Sequence, residues 1–366
     1  MGKAAFIYSP AFDKLQYPAD CPFNVSRAGK VRELVESKGL LVGKNIIEVS
    51  AEAAERVTLK KFHSAKYLKV LRESSAGRFN PDAYHMGIGT PDCPAFRDMY
   101  AYSVLACGAT IAGAEMILSG EADYVFNPSG GLHHCGPELA SGFCYMNDVA
   151  IGCTLLAEAG KKVLYLDVDV HHGDGVANAF YDRKDVMTIS LHESGRTLFP
   201  GTGFAKDIGT GEGKGYCVNV PLAVGTYDQT YMNVFAEIVL PLIKVYNPDV
   251  FVFDFGADAL AGDPLAHLRL TNNTYADIIK LLLTFDKPIL MTGGGGYNIE
   301  NTVRAWALGW NVLCSAVEDN LEIDTCQDEW RDKDPAIGEQ HSEMVEPAIE
   351  VVIDSVKKNI FHYHGL

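Results

Sequence analysis

The segment Val163-Leu164-Tyr165-Leu166-Asp167-Val168-Asp169-Val170 is an apolar run with aspartate at two alternate positions, and it continues into His171-His172-Gly173-Asp174-Gly175. Successive side chains of a strand point to opposite faces, so Asp167, Asp169 and His171 are predicted to project to one side. Charges on one face of a buried strand have to be paired or bound to a metal. A solvent-facing edge strand would show the same alternation. The Gly-Asp-Gly that follows favours the buried reading, because it has the form of the tight loop at a strand's carboxyl end, where open α/β sheets place their chemistry. A second pair of adjacent histidines, His133-His134, lies upstream. So much imidazole and carboxylate in two short segments points to a metal site.

The rest of the chain sets this segment in a sheet. Strand-like apolar runs at 4–8, 123–127, 163–170, 186–192, 216–221, 250–255 and 288–292 alternate with longer helix-like stretches, the pattern of a parallel sheet covered on both faces. Helices are predicted over 27–38, 99–118, 147–159, 229–246, 274–284 and 299–313, the first two ending at Gly39 and Gly120. With no repeat, low-complexity tract or Pro/Ser-rich linker, the 366 residues read as a single α/β domain. The polar, acidic stretch 318–340 reads as a surface excursion before a last helix at 343–358.

Composition excludes some classes. A formal charge of −16 argues against direct nucleic-acid binding, which needs clustered Lys and Arg. It would suit a basic protein tail or a polyamine, though acidity alone decides nothing about substrate. The nine cysteines form no Cys-x-x-Cys pair and their number is odd, so reduced thiols in a cytoplasmic protein are expected. The first residues read as one short strand rather than a signal peptide, and there is no run of about 18 purely apolar residues to suggest a membrane span.

A catalytic metal usually takes three protein ligands. Asp258, in Gly256-Ala257-Asp258 just after the apolar run 250–255, is the natural partner for Asp169 and His171; taken alone, the tripeptide reads equally as a helix cap or turn. Another strand ends in Gly293-Gly294-Gly295-Gly296-Tyr297-Asn298. Four glycines permit close backbone approach and unusual dihedrals that could carry the tyrosine hydroxyl into the same cleft. A phosphate-cradling loop or a plain flexible turn would look the same.

Together, Gly130-Gly131-Leu132-His133-His134, Ser141-Gly142-Phe143-Cys144-Tyr145-Met146-Asn147-Asp148, the run from Asp167 to Gly175, Gly256-Ala257-Asp258 with Gly262-Asp263-Pro264, and Gly293 to Asn298 resemble the zinc-dependent histone deacetylase family. That family lies within the arginase-deacetylase superfamily, beside acetoin-utilisation proteins and acetylpolyamine amidohydrolases. The resemblance runs from Tyr8-Ser9-Pro10 to at least Trp306, with the motifs in the family's order and spacing. It implies an open parallel sheet of about eight strands with helices on both faces. It also implies one catalytic Zn²⁺ on Asp169, His171 and Asp258, with Fe²⁺ or Co²⁺ as alternatives for such a donor set.

By the same resemblance, His133 and His134 are the catalytic imidazoles, backed by Asp167 and Asp174 respectively, and Tyr297 is the oxyanion donor. Gly142, Phe143, Phe199 and Leu265 match the lining of a narrow acyl-lysine tunnel, Asp92 a rim carboxylate that holds the substrate backbone, and Arg27 an arginine beside an acetate-release channel. Asp167, Asp169, His171, Ser190 and Leu191 match a structural potassium site. Phe180, Arg183, Val186 and Tyr216 match a second one, where Arg183 departs from the expected hydroxyl residue. Leu132 stands where eukaryotic members often have tryptophan, and Leu265 is apolar where polyamine-specialised members carry a glutamate. The implied activity is deacylation of lysine in proteins or peptides. The alternatives are an acetylpolyamine or other small-molecule amidohydrolase, and a non-catalytic acyl-lysine binding protein. A two-metal, arginase-like site is not expected, because the segment from Asp254 to Asp258 lacks a closely spaced Asp-x-Asp pair.

Overall fold

In the computed structural model, which describes residues 2–318, 328–333 and 335–366, the apolar runs become strands of one parallel sheet. The elements in chain order are β1 (Ala4–Tyr8), α1 (Ser26–Ser37), β2 (Ile46–Ser50), α2 (Arg56–Leu59), α3 (Ala65–Ser75), α4 (Met99–Ser119), β3 (Tyr124–Asn127), α5 (Asp148–Glu158), β4 (Val163–Asp167), α6 (Asp174–Ala179), β5 (Val186–Glu193) and β6 (Cys217–Leu222). They continue with α7 (Asp228–Val234), α8 (Leu240–Tyr246), β7 (Val250–Asp254), α9 (Asn272–Leu283), β8 (Ile289–Thr292), α10 (Ile299–Val317) and α11 (Glu339–Ile360). The eight strands lie in the order β2-β1-β3-β8-β7-β4-β5-β6. Every residue of β1, β4, β5 and β7 is buried, as a parallel sheet covered on both faces requires.

The order of strands locates the chemistry. After β3 the chain skips two places to β4, and β7 and β8 later fill the gap. Loops leaving the carboxyl ends of β3, β8, β7 and β4 therefore diverge around one crevice, the place where open α/β sheets bind ligands. In register, Asp167 of β4 stands beside Asp254 of β7, which stands beside Thr292 of β8.

Several expectations are corrected. Strand β4 stops at Asp167, so Asp169 and His171 lie in the loop beyond it and do not continue the alternation. Strand β2 was not predicted; with only Ile46 buried it is a half-exposed edge strand, too polar to read as an apolar run. Helix α3 was also missed, although Ser64 caps it through the Tyr67 amide. The single helix predicted at 229–246 is α7 and α8 joined by a π-helical turn, Phe235–Val239. Of the predicted surface excursion at 318–340, residues 319–327, with Cys326, and residue 334 lie outside the described residues. Within the described part Trp330 is buried and its carbonyl accepts the Asn272 side-chain amide at 2.8 Å, so this part is not all surface. Helix α4 is long and apolar enough to cross a membrane but is mostly buried in the protein, packed on α5, β3 and β8.

Candidate metal centre

Asp169, His171 and Asp258 are brought together at the carboxyl ends of β4 and β7. His171 Nδ1 lies 3.1 Å from Asp258 Oδ2 and 3.3 Å from Asp169 Oδ1, and one donor atom from each residue falls within 4.8 Å of the others. Backbone amides fix the carboxylates: Val170 N donates to Asp258 Oδ1 at 2.9 Å and Gly295 N to Asp169 Oδ2 at 2.6 Å. The close approach of both carboxylates explains one glycine of the four, since a Cβ on Gly295 would lie 1.8 Å from Asp258 Oδ2 and 2.9 Å from Asp169 Oδ2.

All three side chains are buried. Burial, with the neighbouring Asp169 charge, pushes the Asp258 carboxyl up to about 7. Burial disfavours a charged His171, but Asp169 and Asp258 outweigh it and raise the imidazole to about 10. Two carboxylates and one imidazole that perturb one another so strongly, with convergent donor atoms, fit a divalent cation.

His133 and His134 follow β3 on a loop that α5 holds from its N-terminus. The Asn147 side chain donates to the carbonyls of His133 and Cys135 at 3.1 and 2.9 Å, and the buried Asp148 carboxylate accepts from the Gly131 and Leu132 amides. The two Nε2 atoms face each other at 3.1 Å. His134 Nδ1 lies 2.8 Å from Asp174 Oδ1, as expected. For His133 the expected partner is corrected: Nδ1 is 3.1 Å from Asp254 Oδ2 but 3.8 Å from Asp167 Oδ2. Asp167 is occupied elsewhere, accepting from the amides of Asp169 and Gly173 and from the Ser190 hydroxyl.

If both Nδ1 atoms carry a proton for their carboxylates, two unprotonated Nε2 atoms could not sit 3.1 Å apart; one of them donates. Burial opposes charge on both rings, but Asp169, Asp167 and Asp254 outweigh it at His133 and raise it well above the usual range. At His134 burial and the charge of His133 lower the imidazole to about 4. The pair is thus a charged His133 donating to a neutral His134.

Aromatic rings stand around the centre, where the resemblance implies a narrow tunnel. The Phe199 ring is centred 5.0 Å from that of His134 and 6.3 Å from that of His171; Tyr297 lies 6.0 Å from Phe143 and 6.4 Å from His171. Gly142 has φ +54°, and a Cβ there would meet His134 Cδ2 at 2.3 Å. Phe143 is itself left-handed, φ +64°, and is held so by its amide donating to the Asp92 carbonyl and its carbonyl accepting from Tyr17. The Asp92 carboxylate, expected to face substrate, also accepts from Gly142 N and the Thr90 hydroxyl. Leu265 is half-buried, on a loop tied to Tyr297 through Asp263. Arg27 is buried beneath the site and donates to the carbonyls of Gly294 and Gly296 at 3.0 and 2.7 Å, so it grips the glycine loop. The tyrosine hydroxyl stays protonated, because burial and then the Asp258 and Asp169 charges raise it.

The segments matched to potassium sites are also neighbours. Asp167 pairs with Ser190 across β4 and β5, with Leu191 next in β5. In the second group the guanidinium of Arg183 binds Asp185 at 2.6 Å and lies 5.3 Å over the Phe180 ring; Val186 opens β5 and Tyr216 packs edge-to-face against Tyr246 and His364. Sequence reading gave no role to Asp254, Tyr165 or Asp263. The signal available was a carboxylate interrupting the apolar run 250–255, which only matters once β7 is placed beside β4.

The comparisons fit this geometry. A sequence model of the histone deacetylase domain matches residues 21–313. The chain belongs to the histone deacetylase family. Histone deacetylase 8 of Xenopus tropicalis is 39% identical over 282 residues, covering 76% of each chain. RPD3 of Saccharomyces cerevisiae is 34% identical over 362 residues, 98% of this chain and 83% of that one. Histone deacetylase 3 of Oryza sativa subsp. japonica is 38% identical over 308 residues, 83% of this chain, which spans 60% of that relative's length. The crystal structure of an HDAC homolog complexed with SAHA superposes with a TM-score of 0.85 at 29% identity, covering 97% of this chain and all of that one. The structure of an HDAC homolog from Aquifex aeolicus matches equally well. The fold is accordingly the single-domain α/β fold of deacetylases.

Proposed function

We propose that the protein is a metal-dependent deacylase that hydrolyses acyl-lysine, acetyl-lysine first, in proteins or peptides. The observation that carries the reading is the convergence of two His-carboxylate pairs, three side chains able to hold a metal and the Tyr297 ring around one buried point beside the rings of Phe143 and Phe199. Zinc is the proposed metal on Asp169, His171 and Asp258, and it would supply Lewis acidity to the scissile carbonyl and acidify a water.

The chain's own groups do the rest. His134, neutral and oriented by Asp174, takes a proton from the attacking water at Nε2 once that nitrogen is released from the His133 N–H, and returns it to the leaving amine. His133, held charged by Asp169, Asp167 and its hydrogen-bond partner Asp254, stabilises negative charge as it develops. Tyr297 donates its hydroxyl proton to the oxyanion in a hydrogen bond, a role worth about 10²- to 10³-fold in rate. The two phenylalanines pack against the lysine methylenes, and Asp92 keeps lone pairs for a substrate amide. The products are a free amine and a carboxylate. One potassium ion beside Asp167, Asp169, His171, Ser190 and Leu191 belongs to the proposal. The second does not, since Arg183 brings its own cation to that place. The reducing cytoplasm also belongs to it, resting on the free thiols of the eight described cysteines.

The test is turnover by the zinc-loaded protein of acetyl-, propionyl-, butyryl- and longer acyl-lysine peptides beside acetylated polyamines, with Tyr297→Phe as control. Peptide turnover that falls at least about 10²-fold in the variant is expected. Turnover confined to the polyamines would move the activity to small amides, and binding without any turnover would make this an acyl-lysine binding protein.

A further inference from the structure

The glycine run 293–296 lets Tyr297 reach the site, but a chain that free does not hold a hydroxyl where an oxyanion will form. Something must fix the backbone on the far side of the glycines. Asp263 has the right contacts. Its carboxylate is 8% exposed; Oδ2 accepts the amide of Tyr297 at 2.7 Å and that of Asn298 at 3.3 Å, and Oδ1 accepts the amide of Leu265 at 2.9 Å. Asn298 is the N-cap of α10, its side chain accepting the Asn301 amide, so the carboxylate also sits at the positive end of a 19-residue helix. On the other side of the loop Arg27 holds the carbonyls of Gly294 and Gly296.

We propose that Asp263 is a positioning residue that clamps the backbone of the oxyanion donor Tyr297 and the tunnel residue Leu265 to a single carboxylate, so that the slot wall and the tyrosine are set together. The proposal rests on the role given to Tyr297 above. Asp263 touches no reacting atom. Its three acceptor contacts are all to backbone amides, which makes the geometry independent of side-chain identity at 265 and 298. Without the carboxylate, three amides near the slot lose their partner, and Tyr297 is left attached to four glycines on one side.

The test is a double-mutant cycle in the metal-loaded full chain, with kcat and KM measured on an acetyl-lysine peptide for wild type, Asp263→Ala, Tyr297→Phe and the double variant. A residue that acts through the tyrosine loses its effect once the hydroxyl is gone. Asp263→Ala is expected to lower kcat by roughly 10- to 100-fold in the wild-type background and by no more than about threefold in the Tyr297→Phe background. Equal losses in both backgrounds would overturn the proposal, because a general structural defect is additive. Should Asp263→Ala not fold, Asp263→Asn replaces it, since an amide keeps one acceptor oxygen and loses the other. Amide hydrogen exchange is followed in parallel. Faster exchange at Tyr297 and Asn298, with 289–292 unchanged, supports the clamp; unchanged exchange at both overturns it. Exchange decides even if wild type turns over nothing, an outcome that would sink the deacylase reading and leave the clamp standing or falling on its own.

Discussion

Replacing Asp254 by asparagine separates the partner seen in the structure from the one expected at Asp167. Asp254 Oδ2 accepts from His133 Nδ1 at 3.1 Å and from the Tyr165 hydroxyl at 3.0 Å, and all three side chains are buried. Asparagine keeps the shape and can still accept from Nδ1, so the change removes charge rather than contact. A hydrogen bond to a charged partner is worth about 1.5–3 kcal/mol against about 1 for a neutral one. The loss is then about 1–2 kcal/mol of preference for a protonated His133, which lowers the ratio of charged to neutral imidazole roughly tenfold. Asp167 plays another part, accepting from the Asp169 amide and the Ser190 hydroxyl, so Asp167→Asn should loosen a metal ligand.

The assay is a crossed one: kcat on an acetyl-lysine peptide and bound metal per chain, for both variants. Asp254→Asn is expected to lower kcat about tenfold with metal content intact, and ¹⁵N-histidine spectra should show the His133 titration moved to lower pH. Asp167→Asn is expected to lose metal on mild chelation while Asp254→Asn does not. A full-activity Asp254→Asn beside an Asp167→Asn that keeps its metal and loses kcat would refute the reasoning, for Asp167 would then be the group that supports His133.

Two further outcomes follow from the geometry. Titrating the apoprotein with zinc should restore activity and raise the melting temperature with saturation at one equivalent; saturation at two would mean that the second convergent group, His133, Asp169 and Asp254, also binds metal. Gly142→Ala puts a methyl 2.3 Å from His134 Cδ2 and 3.0 Å from Phe199 Cε1 at φ +54°, so kcat/KM should fall by at least about tenfold, at a stability cost of about 1–2 kcal/mol from the backbone alone. A wild-type rate in that variant would show that the slot is wider than these contacts allow.

The group expected to hold a metal was legible in the chain because its members follow buried strands. Asp169, His171 and Asp258 each lie within a few residues of an apolar run, and the run itself says that they leave the same edge of a sheet. The helix capped by Asn147 was legible as a helix-like run, whereas the pairing of His134 with Asp174 was implied by the family resemblance. Element ends were less so: β4 stops at Asp167 although the alternation goes on, because strand pairing is a property of the neighbour and not of the run. What tertiary structure alone decided is which carboxylate meets which partner. Asp167 and Asp254 are 87 residues apart in the chain and side by side in register, and both lie near His133 Nδ1. Local sequence proposes the nearer motif. The choice is made by competition among donors, since two amides and the Ser190 hydroxyl claim Asp167 and leave Asp254 to the imidazole. Asp263 illustrates the same limit, because its partners are backbone amides that only the folded glycine loop brings within reach.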